Sequence, residues 1–319
     1  MKPRIFVTRA LPDVVTAALK KRFALEINRR DRLVSRLELL RGVKKADGLI
    51  AMLSDTIDGR LIEAAPRLRV IANYAVGYNN IDLAAAGRRR IVVTNTPGVL
   101  TETTADLAWT LMLAVARRLP EGEAMIRLDR WTAWAPTQLV GRDVHGKTLG
   151  LIGFGRIGRA VAKRAEGFSM EVRYYQRHRL SSMEERRLRV RYCPLARLLK
   201  ESDFVSLHLP LNSDSSHLID RAALRLMKPT AYLINTARGP VVDESALIDA
   251  LEHKRIAGAG FDVYEREPHV PARLRRLKNV VLLPHLGSAT QETRTRMGMM
   301  VLENLTAFFA GKKPPNRVN

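Results

Sequence analysis

The chain has 319 residues, enough for two domains of ordinary size, and 46% of them are hydrophobic, which is ample for buried cores. Its net charge is +22, from 54 basic and 32 acidic residues, yet no zinc-finger spacing or aromatic-interleaved RNA motif accompanies the scattered basic residues. We therefore interpret the charge as an arginine-rich surface that attracts anionic ligands, and exclude a specific nucleic-acid function.

The cellular compartment is suggested by what the sequence lacks. Cys193 is the single cysteine, so no internal disulfide can form, which fits a reducing compartment. No apolar run reaches the roughly 18 to 20 residues that span a bilayer, and the N-terminus has no apolar secretory core. No His, Cys and carboxylate cluster has metal-ligand spacing. We expect a cytoplasmic protein without metal or membrane contact.

Short apolar runs alternate with helical patterns in the first third of the chain. Strands are predicted at 4–8, 25–28, 48–52 and 69–73, with helices near 12–23, 35–43 and 61–65 between them. This alternation predicts a parallel sheet covered by helices on both faces. Ligands bind at the carboxyl ends of such strands, so exposed backbone N–H groups around Val76 and Gly77 are candidates for holding a carboxylate, and Leu53 belongs to the same edge. The alternative for this stretch is an ordinary turn.

A long apolar helix follows, and it leads into the second domain. The segment 101–106 carries threonines suited to helix N-caps, and the helix itself is predicted to run to about residue 117. Trp131, Trp134 and Pro136 then form an irregular arm, and 141–146 is a predicted boundary turn.

A dinucleotide fingerprint follows the next strand. Residues 149–152 form an apolar run, and Gly153-Phe154-Gly155-Arg156-Ile157-Gly158 is a G-x-G-x-x-G loop that opens a helix. Gly153 permits the tight turn, Gly155 permits the backbone to approach a pyrophosphate, and Gly158 permits close helix–strand packing. The helix N-terminus attracts the phosphates. This context predicts a nicotinamide or flavin dinucleotide; a plain glycine-rich turn is the alternative.

The strand at 172–175 ends without the acidic residue that usually grips the adenosine ribose. Gln176 stands at that position, about 20 residues beyond the glycines, and Arg177 and Arg179 follow. A carboxylate would repel a ribose 2′-phosphate, whereas guanidinium groups bind phosphate through charge-assisted hydrogen bonds. The sequence therefore favours NADP(H), with NAD(H) as the alternative. The alternative for Arg177 and Arg179 is that both are ordinary solvated charges on the protein surface.

The alternation continues to the end of the chain. Strands are predicted at 204–209, 231–235, 257–263 and 280–283, and helices at 195–200, 222–227, 244–253 and 290–310. The last helix is expected to return to the first domain. We assign residues 1–98 and 287–319 to a discontinuous, flavodoxin-like substrate domain and 99–286 to a Rossmann domain, both α/β with doubly wound parallel sheets.

Three polar side chains follow buried strands of the second domain: Arg238, Glu267 and His285. Reduction of a 2-oxo acid needs an anchored carboxylate, a polarised carbonyl and a proton donor. Arginine suits the first two tasks and histidine the third, while a carboxylate on the far imidazole nitrogen fixes the tautomer and favours the protonated ring. Each residue alone is more often structural; together, after one dinucleotide loop, they indicate an active site.

These motifs resemble the D-isomer-specific 2-hydroxyacid dehydrogenases, above all their glyoxylate/hydroxypyruvate reductases. The matching stretches are NYAVGYNNID, NTPGVLTETTADLAW, TAWAPTQLVGRDVHGKTLGLIGFGRIG, SLHLPLN, INTARGPVVDESAL, GAGFDVYEREP and LPHLGSAT. They span almost the whole chain. The chain departs from the family at Ser169, where glycine is usual and a turn is affected, and at Gln176-Arg177, which replace the acidic ribose residue.

The resemblance implies a role for each matching residue. Arg238 binds and orients the substrate, His285 is the general acid and Glu267 is its partner. Leu53, Val76 and Gly77 correspond to the substrate-carboxylate positions, and Trp134 reaches the pocket of a partner subunit or is an ordinary interface aromatic. The cofactor positions are Thr104, the loop from Gly153 to Gly158, Gln176, Arg177, Arg179, His208, Leu209, Pro210, Thr236, Ala237, Asp262 and Gly287.

The sequence thus predicts a homodimeric, NADPH-preferring reductase of glyoxylate and hydroxypyruvate, whose two domains close over the substrate. One alternative is another substrate of the same family, such as phenylpyruvate or 3-phosphoglycerate. A second is a dinucleotide-sensing corepressor.

Overall fold

The computed structural model describes residues 1–30 and 32–319. These divide into two compact units: residues 1–100 with 289–319, and residues 101–288. The first unit is discontinuous because the C-terminal helix belongs to it. No helix in the described part of the chain is both long and apolar enough to cross a membrane.

The first unit contains a five-stranded parallel sheet in the order β2-β1-β3-β4-β5. Every residue of β3 and β4 is buried, as expected for the centre of a parallel sheet covered on both faces. The strands are β1 (Arg4–Val7), β2 (Ala24–Ile27), β3 (Gly48–Ala51), β4 (Val70–Asn73) and β5 (Val92–Thr94). Helices α1 (Asp13–Arg22), α2 (Arg36–Lys45), α3 (Gly59–Glu63) and α4 (Leu83–Arg88) connect them.

The last helix of the chain completes this unit. Helix α13 (Gln291–Phe309) packs on α1 and on β4, and Met297, Val301 and Leu305 lie in the core between them. Its start is capped by Thr290, whose side chain accepts a hydrogen bond from the backbone N–H of Thr293. The flavodoxin-like order of the strands places the crossover between β1 and β3, so loops leaving these strands form the ligand edge of the sheet.

The second unit contains a seven-stranded parallel sheet in the order β12-β11-β10-β9-β6-β7-β8. Its crossover lies between β6 and β9, as in a Rossmann domain. The strands are β6 (Thr148–Ile152), β7 (Glu171–Tyr175), β8 (Val190–Tyr192), β9 (Phe204–Leu207), β10 (Tyr232–Asn235), β11 (Gly258–Phe261) and β12 (Val280–Leu282). The helices are α5 (Thr101–Ala116), α6 (Leu119–Arg127), α7 (Arg156–Ala165), α8 (Ser182–Arg187), α9 (Leu195–Glu201), α10 (Arg221–Leu226), α11 (Glu244–Glu252) and α12 (Ala272–Arg276).

Several elements differ from the sequence prediction. Helix α5 begins at Thr101, so residues 101–106 form its first turns and do not precede it. Thr104 uses its hydroxyl for a tertiary hydrogen bond to the carbonyl of Gly287, and it does not cap the helix. Strand β9 ends at Leu207, two residues earlier than predicted. The prediction also missed α4, β5, α6, α8, β8 and α12, all short or lying at the surface.

Ser169 lies in a tight turn, as its place in the sequence suggested. Its φ of 51° is in the left-handed region that favours glycine, and its backbone N–H ends a short 3₁₀ turn by bonding the carbonyl of Glu166. The turn connects α7 to β7. The departure from glycine therefore affects the conformational free energy of the turn between α7 and β7.

Candidate active site

The glycine-rich loop lies at the crossover of the second sheet, directly after β6. Gly153 has a φ of 92°, and a Cβ there would come within 2.4 Å of the carbonyl oxygen of His208. A Cβ on Gly158 would lie 2.4 Å from the carbonyl oxygen of Gly153. Both positions exclude a side chain, because the turn and the first turn of α7 approach other backbone so closely.

Gly155 has the opposite environment. A Cβ there would meet no atom of the described chain within 4 Å, and the residue is exposed at the N-cap of α7. No side chain of the described residues caps this helix, so its first N–H groups are available as donors at the positive end of the helix dipole. Phe154 differs from its predicted surroundings, because its side chain is buried against Tyr174 and only its backbone can face a ligand.

His208 follows β9 across the crossover from the glycine loop. Its backbone N–H donates to the carbonyl of Ile152, and its Nε2 lies 2.9 Å from the hydroxyl of Ser206. Burial lowers the pKa of His208 to about 3, so the ring is neutral near pH 7. Leu209 and Pro210 continue the loop at this carboxyl edge.

The residues predicted for the ribose end follow β7 but differ in availability. The Gln176 side chain donates to the carbonyl of His178 at 2.6 Å. Arg177 forms an ion pair with Asp214, and both side chains are about two-thirds exposed, at 67% and 68%. Arg179 binds Glu185 with two hydrogen bonds of 2.8 and 2.9 Å and lies 5.3 Å from the centre of the Tyr192 ring. The sequence did not predict that Arg179 is engaged in this way.

Arg238 follows β10, three residues after the strand ends at Asn235. The Asn235 side chain holds this turn, because it donates to the carbonyl of Arg238 and accepts from the N–H of Ala237, both at 3.0 Å. The guanidinium donates to the carbonyl of Ala237 at 2.6 Å. Burial lowers the pKa of Arg238 while the charge of Glu267 opposes that shift, so two opposite charges lie near each other.

His285 and Glu267 form a hydrogen-bonded pair. Nδ1 of His285 lies 2.8 Å from Oε2 of Glu267, and the other carboxylate oxygen accepts the backbone N–H of Tyr264 at 3.1 Å. Burial acts to raise the pKa of Glu267, but the hydrogen bond and charge of His285, the Tyr264 N–H and the charge of Arg238 together lower it. An ionised carboxylate only accepts, so Nδ1 carries a hydrogen and Nε2 is left to face a ligand.

The backbone at His285 is strained. Its φ of 58° is in the left-handed region, which non-glycine residues adopt at a cost of roughly 1 to 3 kcal/mol when the surroundings enforce it. The buried carboxylate of Asp262 supplies that enforcement, because its two oxygens accept the N–H groups of Leu286 and Gly287 at 2.6 and 2.8 Å. The sequence suggested Asp262 only as a cofactor residue, and this bracing of the histidine turn was not predicted.

Two threonines predicted near the cofactor have different hydrogen bonding. Thr104 is buried and donates to the carbonyl of Gly287 at 2.8 Å, which joins α5 to the histidine turn. The hydroxyl of Thr236 is also buried, but it has no hydrogen-bond partner among the described residues. Such a buried orphan hydroxyl is normally satisfied by a ligand or an ordered water.

The residues predicted to bind the substrate carboxylate lie in the first unit. Leu53 follows β3, and Val76 and Gly77 follow β4, at the carboxyl edge of the first unit's sheet.

Trp134 lies on the arm after α6, and 79% of its surface is exposed. Cys193 is a buried free thiol. Across residues 1–30 and 32–319, no group of three or more His, Cys, Asp or Glu side chains is arranged to hold a metal ion.

The fold and the crossover loop define an α/β protein with a dinucleotide-binding unit. Residues 109–287 match the family described as D-isomer specific 2-hydroxyacid dehydrogenase, NAD binding domain. The glyoxylate reductase of Thermococcus gammatolerans is 52% identical over 323 residues, which cover 100% of this chain and 96% of that protein.

Solved structures agree with this match. The TT0316 protein of Thermus thermophilus is 47% identical with a TM-score of 0.92, and the alignment covers 99% of this chain and 100% of that one. The NADPH-dependent glyoxylate/hydroxypyruvate reductase of Sinorhizobium meliloti, solved with NADP and malonate, is 34% identical with a TM-score of 0.86. The alignment covers 100% of this chain and 97% of that one. The chain belongs to the D-isomer specific 2-hydroxyacid dehydrogenase family and is an NAD(P)-dependent oxidoreductase of 2-oxo or 2-hydroxy acids.

Proposed function

We propose that this enzyme reduces glyoxylate and hydroxypyruvate to D-2-hydroxy acids, with NADPH preferred over NADH and His285 as the general acid. The observation that carries the proposal is the 2.8 Å pair between His285 and Glu267, with Arg238 close enough to act on the same carboxylate. The relatives named glyoxylate reductase support the substrate class.

The residues at the crossover suit a dinucleotide. Gly155 leaves room for a phosphate against the backbone, the uncapped start of α7 offers N–H donors, and Thr236 offers an unsatisfied buried hydroxyl. When bound, the nicotinamide supplies the hydride that the carbonyl carbon accepts. The neutral ring of His208 adds no charge beside the phosphates.

His285 delivers the proton in this mechanism. Nδ1 is held by Glu267, so Nε2 is the atom that donates to the forming alkoxide. Glu267 carries negative charge near neutral pH, which stabilises the imidazolium before transfer and keeps the ring in one orientation. The Asp262 brace fixes the direction of the ring through the backbone of the following residues.

Arg238 anchors and polarises the substrate. Its planar guanidinium can bind a carboxylate and a carbonyl oxygen together, and its charge stabilises the oxygen as negative charge develops. Burial makes this charge more effective because water screens it less. We assign Leu53, Val76 and Gly77 of the first unit to the substrate carboxylate.

The enzyme's preference for NADPH depends mainly on Arg177. Gln176 places no negative charge beside a 2′-phosphate, and the exposed ion pair of Arg177 with Asp214 contributes little and is easily given up. Arg179 would have to leave the bidentate bond with Glu185, so we give it the smaller part.

Arg177→Ala should therefore raise the KM for NADPH about tenfold, the size expected for one charge-assisted hydrogen bond, and change the KM for NADH less than twofold. Steady-state kinetics with each cofactor measure this. Arg189→Ala is the matched control, because Arg189 is also an exposed, ion-paired arginine but lies at the amino end of β8. Equal effects of Arg177→Ala on both cofactors would remove Arg177 from the phosphate site.

We also propose a homodimer that acts in the cytoplasm. Helix α6 and the arm after it expose large apolar side chains that a second copy would cover: Leu119, Ile126, Leu128, Trp131, Trp134 and Val140.

A panel of 2-oxo acids, run with NADPH and with NADH in parallel, tests the proposed function. We expect glyoxylate and hydroxypyruvate to give the highest kcat/KM, and NADPH to exceed NADH. Faster turnover of a bulky acid such as phenylpyruvate would show a different substrate. No oxidation of either cofactor with any 2-oxo acid would favour the corepressor.

A further inference from the structure

Backbone carbonyls at the carboxyl edge of the first unit's sheet are held by asparagine side chains. Asn95 donates from Nδ2 to the carbonyl of Val76 at 2.7 Å, and Asn73 donates to the carbonyl of Gly77 at 2.8 Å. The backbone N–H of Thr96 donates to the preceding carbonyl, that of Ala75, at 2.9 Å. Three consecutive peptide carbonyls of this loop are therefore fixed.

The loop after β3 is held in the same way. The Asn80 side chain donates to the carbonyl of Met52 at 3.1 Å and to the carbonyl of Asp55 at 3.2 Å. It also lies 3.3 Å from the side-chain oxygen of Asn73, which links the two loops. The carboxylate of Asp55 closes the turn by accepting the N–H of Met52 at 2.7 Å.

Fixing a carbonyl also fixes the N–H of the following residue. A trans peptide is planar, so its C=O and N–H point in opposite directions. The carbonyl of Met52 shares its peptide with the N–H of Leu53, and the carbonyls of Ala75 and Val76 share theirs with the N–H groups of Val76 and Gly77. In the described part of the chain, none of these three N–H groups donates a hydrogen bond to the protein.

Three N–H groups without partners in the described chain, each opposite an anchored carbonyl, are available as donors to an anion. Rotating any of these peptides would break a hydrogen bond in a mostly buried setting. The bond comes from an asparagine side chain for the carbonyls of Met52 and Val76, and from the backbone N–H of Thr96 for that of Ala75. Asn73 is fully buried and Asn95 is 8% exposed. The donor directions are thus set before any ligand arrives, which lowers the cost of binding.

We propose that Asn80 and Asn95, together with Asn73, are positioning residues that aim the N–H groups of Leu53 and Gly77 at the substrate carboxylate. This inference rests on the proposed function, because it takes these N–H groups as the carboxylate site. None of the three asparagines touches the substrate itself. Their contribution is to the KM for the 2-oxo acid.

The test uses Asn80→Asp and Asn95→Asp in the full-length enzyme with NADPH and glyoxylate. Each substitution keeps the size of the side chain but replaces the donor with an acceptor that faces a carbonyl. We expect the KM for glyoxylate and the dissociation constant of oxamate to rise about tenfold, with kcat changed less than threefold and NADPH affinity unchanged.

Acidification separates positioning from general damage. A protonated aspartic acid side chain can donate again, so the KM of each Asp variant, taken relative to the unmodified enzyme, should fall towards one as the pH is lowered. Asn80→Ala and Asn95→Ala lack this group, and their relative KM should not depend on pH. They also carry the test if the Asp variants do not fold, which circular dichroism would show.

Asn279→Asp is the matched control. Asn279 also donates to two carbonyls, those of Leu251 and Ala257, but it lies at the amino end of β12. Its kinetics should equal those of the unmodified enzyme. A KM within twofold of normal in folded Asn80 and Asn95 variants would overturn the inference. If the unmodified enzyme turns over no 2-oxo acid, the proposed function fails first, so the two failures are distinguishable.

Discussion

Replacing His285 with alanine should lower kcat for glyoxylate reduction by about a thousandfold while NADPH still binds. A positioned general acid contributes roughly 10² to 10⁴ to the rate, and alanine leaves no donor at the place of Nε2. Glu267 is not placed to substitute, because it bonds Nδ1 of His285, on the far side of the ring from Nε2. Turnover kinetics and a fluorescence titration with NADPH measure the two quantities separately.

His253→Ala is the control for the loss of an imidazole. His253 lies at the end of α11, where its Nδ1 pairs with the carbonyl of Asp249, at 2.8 Å, on the protein surface. Its kcat should stay within twofold of normal. A rate for His285→Ala within tenfold of normal would show that another group protonates the alkoxide.

Replacing Arg238 with glutamine should lower kcat/KM by about a thousandfold, through both a lower kcat and a higher KM. One lost donor to a developing oxyanion costs roughly 10² to 10³ in rate, and the substrate carboxylate loses its anchor as well. Arg238→Lys keeps the charge but not the planar fork, so it should recover part of kcat and little of KM.

Arg173→Gln serves as the comparison, because Arg173 is also a largely buried arginine. Its partners are Glu171 and Glu201, away from the carboxyl edge of the sheet. We expect lower thermal stability with kcat/KM near normal. If Arg238→Gln behaves like Arg173→Gln, the guanidinium of Arg238 is structural and the proposed chemistry is wrong.

The central strands could be predicted because they are nearly continuous apolar runs that both faces of a parallel sheet bury. Strands β6, β9 and β10 were found for that reason. Strand β8 was missed, because it is three residues long, lies at the sheet edge and carries Arg191 on an exposed side. An edge strand needs only one buried face, so its composition resembles that of a loop.

The candidate site shows the same division between local and tertiary information. That Arg238, Glu267 and His285 follow strand ends is a local pattern, readable from residue order. The bond from Arg179 to Glu185 depends on α8, which the sequence pattern did not reveal. The left-handed backbone of His285 depends on Asp262, 23 residues earlier, whose carboxylate reaches it only once β11 and β12 are paired.

The positioning asparagines are another feature that depends on tertiary information. Asn73, Asn80 and Asn95 have no spacing that marks them as a group, because one ends β4, one lies in the loop after it and one follows β5. Only the folded sheet brings their amides to the carbonyls of two loops. Sequence order indicated which loops we propose for the substrate carboxylate, whereas the reason for their fixed peptide directions required the structure.

A crystal structure of the enzyme with NADP and oxamate tests the central claim most directly. The account predicts that the carbonyl oxygen of oxamate lies within about 3.2 Å of both Nε2 of His285 and the guanidinium of Arg238, with Nδ1 of His285 still bound to Glu267. An oxamate bound beside the nicotinamide whose carbonyl oxygen contacts neither side chain would contradict it.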